Sequence, residues 1–123
     1  MNKIYYLKTC DTCKRILKQI KDKIGSNKFN SFKFQEIKSE SITVIQLEEM
    51  FNLSKSYEAL FNKRAKKYTA RGLKNENLTE QDYKNLILEE YTFLKRPVII
   101  YENEIFIGNS KKVLTQLFKK FDT

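Results

Sequence analysis

Cys10 and Cys13, in the run Cys10-Asp11-Thr12-Cys13, are the residues of this chain best suited to covalent chemistry. A thiolate is a strong side-chain nucleophile, and a second thiol one helical turn away is close enough to close a strained disulfide with it. The chain contains no histidine, which excludes Ser-His-Asp and Cys-His catalysis and every His-ligated metal site. A structural zinc needs a full tetrahedral ligand set, and there is neither a second cysteine pair nor a histidine to complete one, so no metal is expected. Cys10 and Arg15 enclose four residues, one too few for the anion loop of cysteine phosphatases, and the position that loop requires holds Ile16. Two readings remain for the pair: redox chemistry, or inert thiols buried in a core.

The elements around the pair favour the first. Lys3 to Leu7 is a β-branched and aromatic run that predicts a strand. Thr9-Cys10-Asp11-Thr12 then turns into a helix whose Ile16, Leu17, Ile20 and Ile24 share one face, ending at Gly25-Ser26-Asn27. Both cysteines thus fall in the first turn of a helix, with Thr12 structural between them. Unsatisfied N–H groups and the helix dipole favour a thiolate on Cys10 there, helped by Lys8, Lys14 and Arg15. Cys13 lies deeper and is better placed to resolve a bond formed at Cys10.

Phe32, Phe34 and Ile37 suggest a second strand, completing a βαβ unit. Thr43 and Gln46 have capping-box spacing ahead of a helix with Leu47, Met50 and Phe51. Another helix starts near Ser56 and stops at Gly72, and a third opens at Thr79 with Asp82. After Pro97, Val98–Tyr101 and Ile105–Ile107 flank Glu102-Asn103-Glu104 as a hairpin, and Asn109 or Ser110 caps a last helix. The order β-α-β, helical block over about 42–92, then β-β-α predicts an α/β fold with one mixed sheet. It matches a thioredoxin-like architecture, read as a single domain over 1–123.

The net charge of +9 comes from 20 lysines and four arginines, Arg15, Arg64, Arg71 and Arg96, against 15 acids. Readers of nucleic acid favour arginine and exposed aromatics, so direct binding to nucleic acid is not expected. Positive charge concentrates in 1–38 and in 62–75, while 39–61 and 76–95 are each net −3. No apolar run approaches the ~18 residues of a membrane helix, and the N-terminus carries no signal-peptide core, so a cytoplasmic monomer away from membranes is expected.

Four motifs in register then carry a resemblance: Tyr6-x3-Cys10-x2-Cys13-Lys14, Phe61-Asn62-Lys63-Arg64, Lys95-Arg96-Pro97-Val98-Ile99 and Ile107-Gly108. With them the chain resembles the glutaredoxin-type arsenate reductase family of bacteria, in the branch shared with Spx-type regulators. The resemblance implies a thioredoxin-like fold and Cys10 as nucleophile. It also implies Arg64 and Arg96 as oxyanion-binding residues and Pro97 as a cis-proline facing the cysteines. It implies no bound cofactor. It further implies an oxyanion or a disulfide as substrate and a glutathione-like thiol, glutaredoxin or thioredoxin as external reductant. The alternative for the arginines is ion pairing with carboxylates such as Glu89 or Glu90. Arsenate reductases of the family carry serine at the Cys13 position and a third arginine where this chain reads Ile107-Gly108-Asn109-Ser110. The Spx-type alternative, a redox-sensing regulator that binds RNA polymerase, keeps the cysteine pair but places glycine where this chain has Ser56.

Overall fold

The computed structural model describes residues 1–123. Its sheet is built around β1 (Lys3–Tyr6) and β3 (Val98–Tyr101), with β2 (Lys33–Glu36) and β4 (Glu104–Ile107) at the edges in the order β2-β1-β3-β4. β1 runs parallel to β2, pairing Ile4 with Phe34 and Tyr6 with Glu36; β1–β3 and β3–β4 are antiparallel. Side chains alternate between faces of a strand, so Ile4, Ile99, Tyr101 and Phe106 reach one side of the sheet. They meet Ile16 and Ile20 of α1 (Asp11–Ile24) and Leu117 and Phe121 of α7 (Lys111–Phe121) in one apolar cluster. The α/β class and mixed sheet expected from the element order are present.

The chain divides into two compact units, Met1–Glu40 with Arg96–Thr123, and Ser41–Lys95. The first holds the sheet, α1, α7 and the short helix α2 (Ser26–Asn30). Gly25 ends α1, where the helix stop was expected, at φ 85°, a conformation a side chain would resist, and the short helix α2 begins at the next residue. At the β3–β4 hairpin Glu102 and Asn103 form a two-residue turn, both with positive φ, and the Asn2 carboxamide oxygen accepts the Glu102 N–H at 3.0 Å. Glu104, expected in the turn, pairs with Tyr101 because the two-residue loop matches the twist of the strands. Of the two candidate caps for α7, Ser110 serves, its hydroxyl accepting the Val113 N–H.

The second unit is the helical block. Thr43 and Gln46 make the expected capping box on α3 (Val44–Ser54), and Thr79 and Asp82 make another on α6 (Glu80–Glu89). The helix expected from Ser56 to Gly72 is broken into α4 (Tyr57–Leu60) and α5 (Lys66–Ala70). Phe61 leaves helical geometry to make an antiparallel bridge with Leu94. The Asn62 N–H donates to Phe93 O at 2.7 Å and the Lys95 N–H to Leu60 O at 2.8 Å. Burial of the Phe61 ring among Tyr68, Tyr83 and Phe93, with centroids 4.9 to 5.7 Å away, outweighs the local preference for continued helix.

Candidate active site

Cys10 is the N-cap of α1, in extended backbone at φ −89° and ψ 113°. The turn from β1 is closed by its own N–H on Leu7 O at 3.1 Å, and its carbonyl accepts the first helical bond, from the Lys14 N–H. Thr12 and Cys13 follow as the second and third helical residues; Thr12 is half-buried and Cys13 is wholly buried. Both thiols are free, and Cys10 is partly exposed.

A carboxylate from the neighbouring strand holds this turn. Glu36, the last residue of β2, accepts the Lys8 N–H at 2.9 Å with Oε2, and the Ser39 N–H and hydroxyl at 2.8 Å with Oε1. The Lys8 and Ser39 N–H groups favour the ionised form and lower the Glu36 carboxyl to about 2.

The two thiols differ sharply. Burial alone would raise Cys10, but the Cys13 N–H, the Cys13 thiol and the Arg96 guanidinium outweigh it and hold Cys10 below its ordinary value. The Cys10 side chain makes no strict capping hydrogen bond, so this support is electrostatic field from the first turn of the helix and from the guanidinium. Burial pushes Cys13 up to about 11, and the charge of a Cys10 thiolate adds to the rise against the Leu7 backbone. Ionisation is thus favoured at Cys10 and opposed at buried Cys13.

Arg96 sits half-buried beside this pair, preceding a cis peptide bond to buried Pro97. The segment is fixed from β4: the Gly108 N–H donates to Pro97 O at 2.9 Å and the Asn109 side-chain amide to Arg96 O at 3.2 Å. Arg96 Nε and Nη1 are buried without a hydrogen-bond partner in the protein. Gly108 adopts φ 85°, which an arginine at that position would reach only with strain.

Cys10, Cys13, Arg96 and Pro97 all belong to the first unit, whereas Arg64 belongs to the second. Arg64 is exposed in the turn after α4, where its N–H donates to Asn62 Oδ1 at 3.0 Å while Asn62 Nδ2 donates to Thr92 O. Neither Arg64 nor Arg96 pairs with the carboxylates weighed for them: Glu89 binds Arg71 at 2.9 Å and Glu90 binds Lys67 at 3.0 Å. Sequence reasoning missed Glu36, Asn62 and Asn109 as clamps. The only signal for Glu36 was a lone acid in a basic stretch, at the end of a strand beside the cysteine turn. No three His, Cys, Asp or Glu side chains cluster as a metal-binding set, and no helix is long and apolar enough to cross a membrane.

Residues 5–117 match the ArsC family. No curated protein matches the chain by sequence. Among solved structures, an ArsC-family-related protein from Bacteroides fragilis superposes with a TM-score of 0.77 at 19% identity, over 94% of this chain and 96% of that one. An arsenate reductase from Vibrio cholerae gives 0.74 at 12% identity, over 96% and 95%. An arsenate reductase (ArsC) related protein from Brucella melitensis gives 0.70 at 21% identity, over 96% and 94%. At such identities the likeness is one of fold, and the fold is thioredoxin-like.

Proposed function

Because the chain belongs to the ArsC family, we propose that it is a thiol-dependent oxidoreductase of the arsenate reductase kind, with Cys10 as nucleophile and Cys13 as resolving thiol. The observation that carries this reading is the opposite displacement of the two thiols, Cys10 held low beside Arg96 and Cys13 raised by burial. The Cys10 thiolate attacks an oxidised acceptor, either the central atom of an oxyanion, from which one oxygen leaves as water, or a sulfur of a disulfide, whose other sulfur leaves as a thiol. Cys13 then displaces the adduct and closes a Cys10–Cys13 disulfide, so two thiols supply the two electrons the acceptor takes up. An external thiol, glutathione-like or from a glutaredoxin or thioredoxin, restores the pair in the cytoplasm.

In this scheme Arg96 is the oxyanion-binding residue beside Cys10, and the family resemblance assigns the same role to Arg64. Arg96 supports the role with two buried donors that no protein group takes, and guanidinium forks suit tetrahedral oxyanions. The family's third arginine is missing at Gly108, and a lost charge-assisted contact of ~1.5–3 kcal/mol corresponds to ~10–100-fold. Arsenate is therefore expected to be a weak substrate and a small disulfide a better one.

The test is thiol consumption by purified protein with arsenate and, separately, with a glutathione mixed disulfide, each with glutathione and a glutaredoxin or thioredoxin system. Turnover should vanish in Cys10→Ser, and Arg64→Ala and Arg96→Ala should each lower arsenate turnover at least ~10-fold. Absence of turnover with any acceptor, together with co-purification of RNA polymerase, would transfer the cysteine pair to the redox-sensing regulator role.

A further inference from the structure

Charge is unevenly divided between the two units. Met1–Glu40 with Arg96–Thr123 carries fifteen basic and seven acidic side chains, whereas Ser41–Lys95 carries nine and eight. Nearly all the net charge therefore lies in the unit that holds Cys10. Within it, α1 presents Cys13, Ile16 and Ile20 to the core, and Lys14, Lys18 and Lys21 form a row on the flanking solvent face at helical spacing with Arg15 beside them, all exposed. The acids on α1 are Asp11, which reaches Lys14 only at 3.8 Å, and Asp22; Lys23 is taken by Asp122 at 2.7 Å. Arg15, Lys18 and Lys21 have no ion-pair partner within the chain.

From these placements we infer that the exposed face of α1 is the docking surface for an acidic protein dithiol that reduces the Cys10–Cys13 disulfide. The inference rests on the redox reading of that pair. The row begins one turn beyond Cys10, spans about 10 Å of helix from Lys14 to Lys21 and, with Arg15, offers four exposed cations against the two carboxylates of a glutathione-like thiol. A protein surface covers it. Nucleic acid is disfavoured because the free cations are mostly lysines and no aromatic residue lies among the exposed positions of α1.

The electron transfer balances within this pair of partners. A thiolate of the partner attacks Cys10 Sγ, the accessible sulfur, because Cys13 is 0% exposed. The Cys10–Cys13 bond breaks, a mixed disulfide forms and Cys13 leaves with the partner's proton. The partner's second thiol attacks its own sulfur in the mixed disulfide, closing the partner's disulfide and freeing Cys10. Two electrons and two protons pass from the partner's dithiol to the cysteine pair.

The test compares reduction of the oxidised protein by an acidic thioredoxin, used as probe, and by uncharged dithiothreitol. Rates are taken at about 0.01 M and 1 M salt, between which the screening length falls from about 30 to 3 Å. The thioredoxin rate should fall at least ~10-fold with salt while the dithiothreitol rate stays within ~2-fold. The ratio of the two rates at low salt should drop ~10-fold in Lys18→Glu/Lys21→Glu and hold in Lys74→Glu, a lysine of the other unit. An unchanged ratio in the double variant, or equal salt sensitivity of both reductants, overturns the docking surface alone. The same holds if the double variant loses salt-sensitive binding of duplex DNA while the ratio is unchanged, which assigns the face to nucleic acid. If no Cys10–Cys13 disulfide forms under oxidant, the docking surface and the redox reading fall together.

Discussion

The backbone N–H of Lys8 donates to Glu36 Oε2 at 2.9 Å, tying the turn that carries Cys10 to the end of the parallel strand beside it. The other oxygen of the same carboxylate is held by Ser39, so one side chain closes two loops at the same end of the sheet. The position of Cys10 accordingly depends on an acid of the neighbouring strand.

That contact has a pH signature. The hydrogen bonds from Lys8 and Ser39 lower the folded carboxyl to about 2, below the ~4.3 of an unfolded glutamate. Its contribution to stability is therefore complete above about pH 5 and is lost as pH falls toward 2. Urea unfolding of wild type and Glu36→Gln should differ by about 1 kcal/mol at neutral pH, with the gap shrinking below about pH 4. A gap that is constant down to pH 2 contradicts the assignment.

Alkylation should separate the two thiols. Cys10 should react with iodoacetamide at a pH below that of an ordinary cysteine, because its thiolate is favoured by the helix terminus and by Arg96. Cys13, buried and raised to about 11, should stay unmodified in the folded protein until alkaline pH. Peptide mapping by mass spectrometry after graded pH exposure checks both, and equal labelling of the two would count against the site.

Arg96→Met removes a charge and a hydrogen-bond donor from beside Cys10. The alkylation profile of Cys10 should then move to higher pH, with the rate at pH 7 reduced several-fold and the fold intact by circular dichroism. Arg64→Met, in the other unit, provides the comparison: a wild-type alkylation profile combined with reduced arsenate turnover separates oxyanion binding from thiol activation.

Packing in the helical unit should be most sensitive at Phe61. Its ring lies 1% exposed against Tyr68, Tyr83 and Phe93. Phe61→Ala should cost about 3–5 kcal/mol of unfolding free energy in urea. Thr43→Ala, which removes one half of the α3 capping box, should cost only about 1 kcal/mol. Comparable losses for the two would mean that the aromatic cluster does not hold that unit together.

What the amino-acid sequence determined by itself was whatever depends on neighbours within one helical turn or one strand. Thr43, Ser56, Thr79 and Ser110 all act as side-chain caps, because the hydroxyl and the N–H it serves lie three residues apart in any context. The cysteine pair in the first turn of α1 and the strand before it were legible for the same reason. Tertiary structure decided the rest. Phe61 breaks its helix because Leu94 and an aromatic cluster offer more than continued helical bonds would. Glu36 meets Lys8 only because β1 and β2 pair in parallel, and Arg96 reaches Cys10 only because β3 pairs antiparallel with β1. Those partners lie far apart along the chain, and sheet register, which no local spacing encodes, adds the Arg96 guanidinium to the field that the helix terminus already supplies to Cys10.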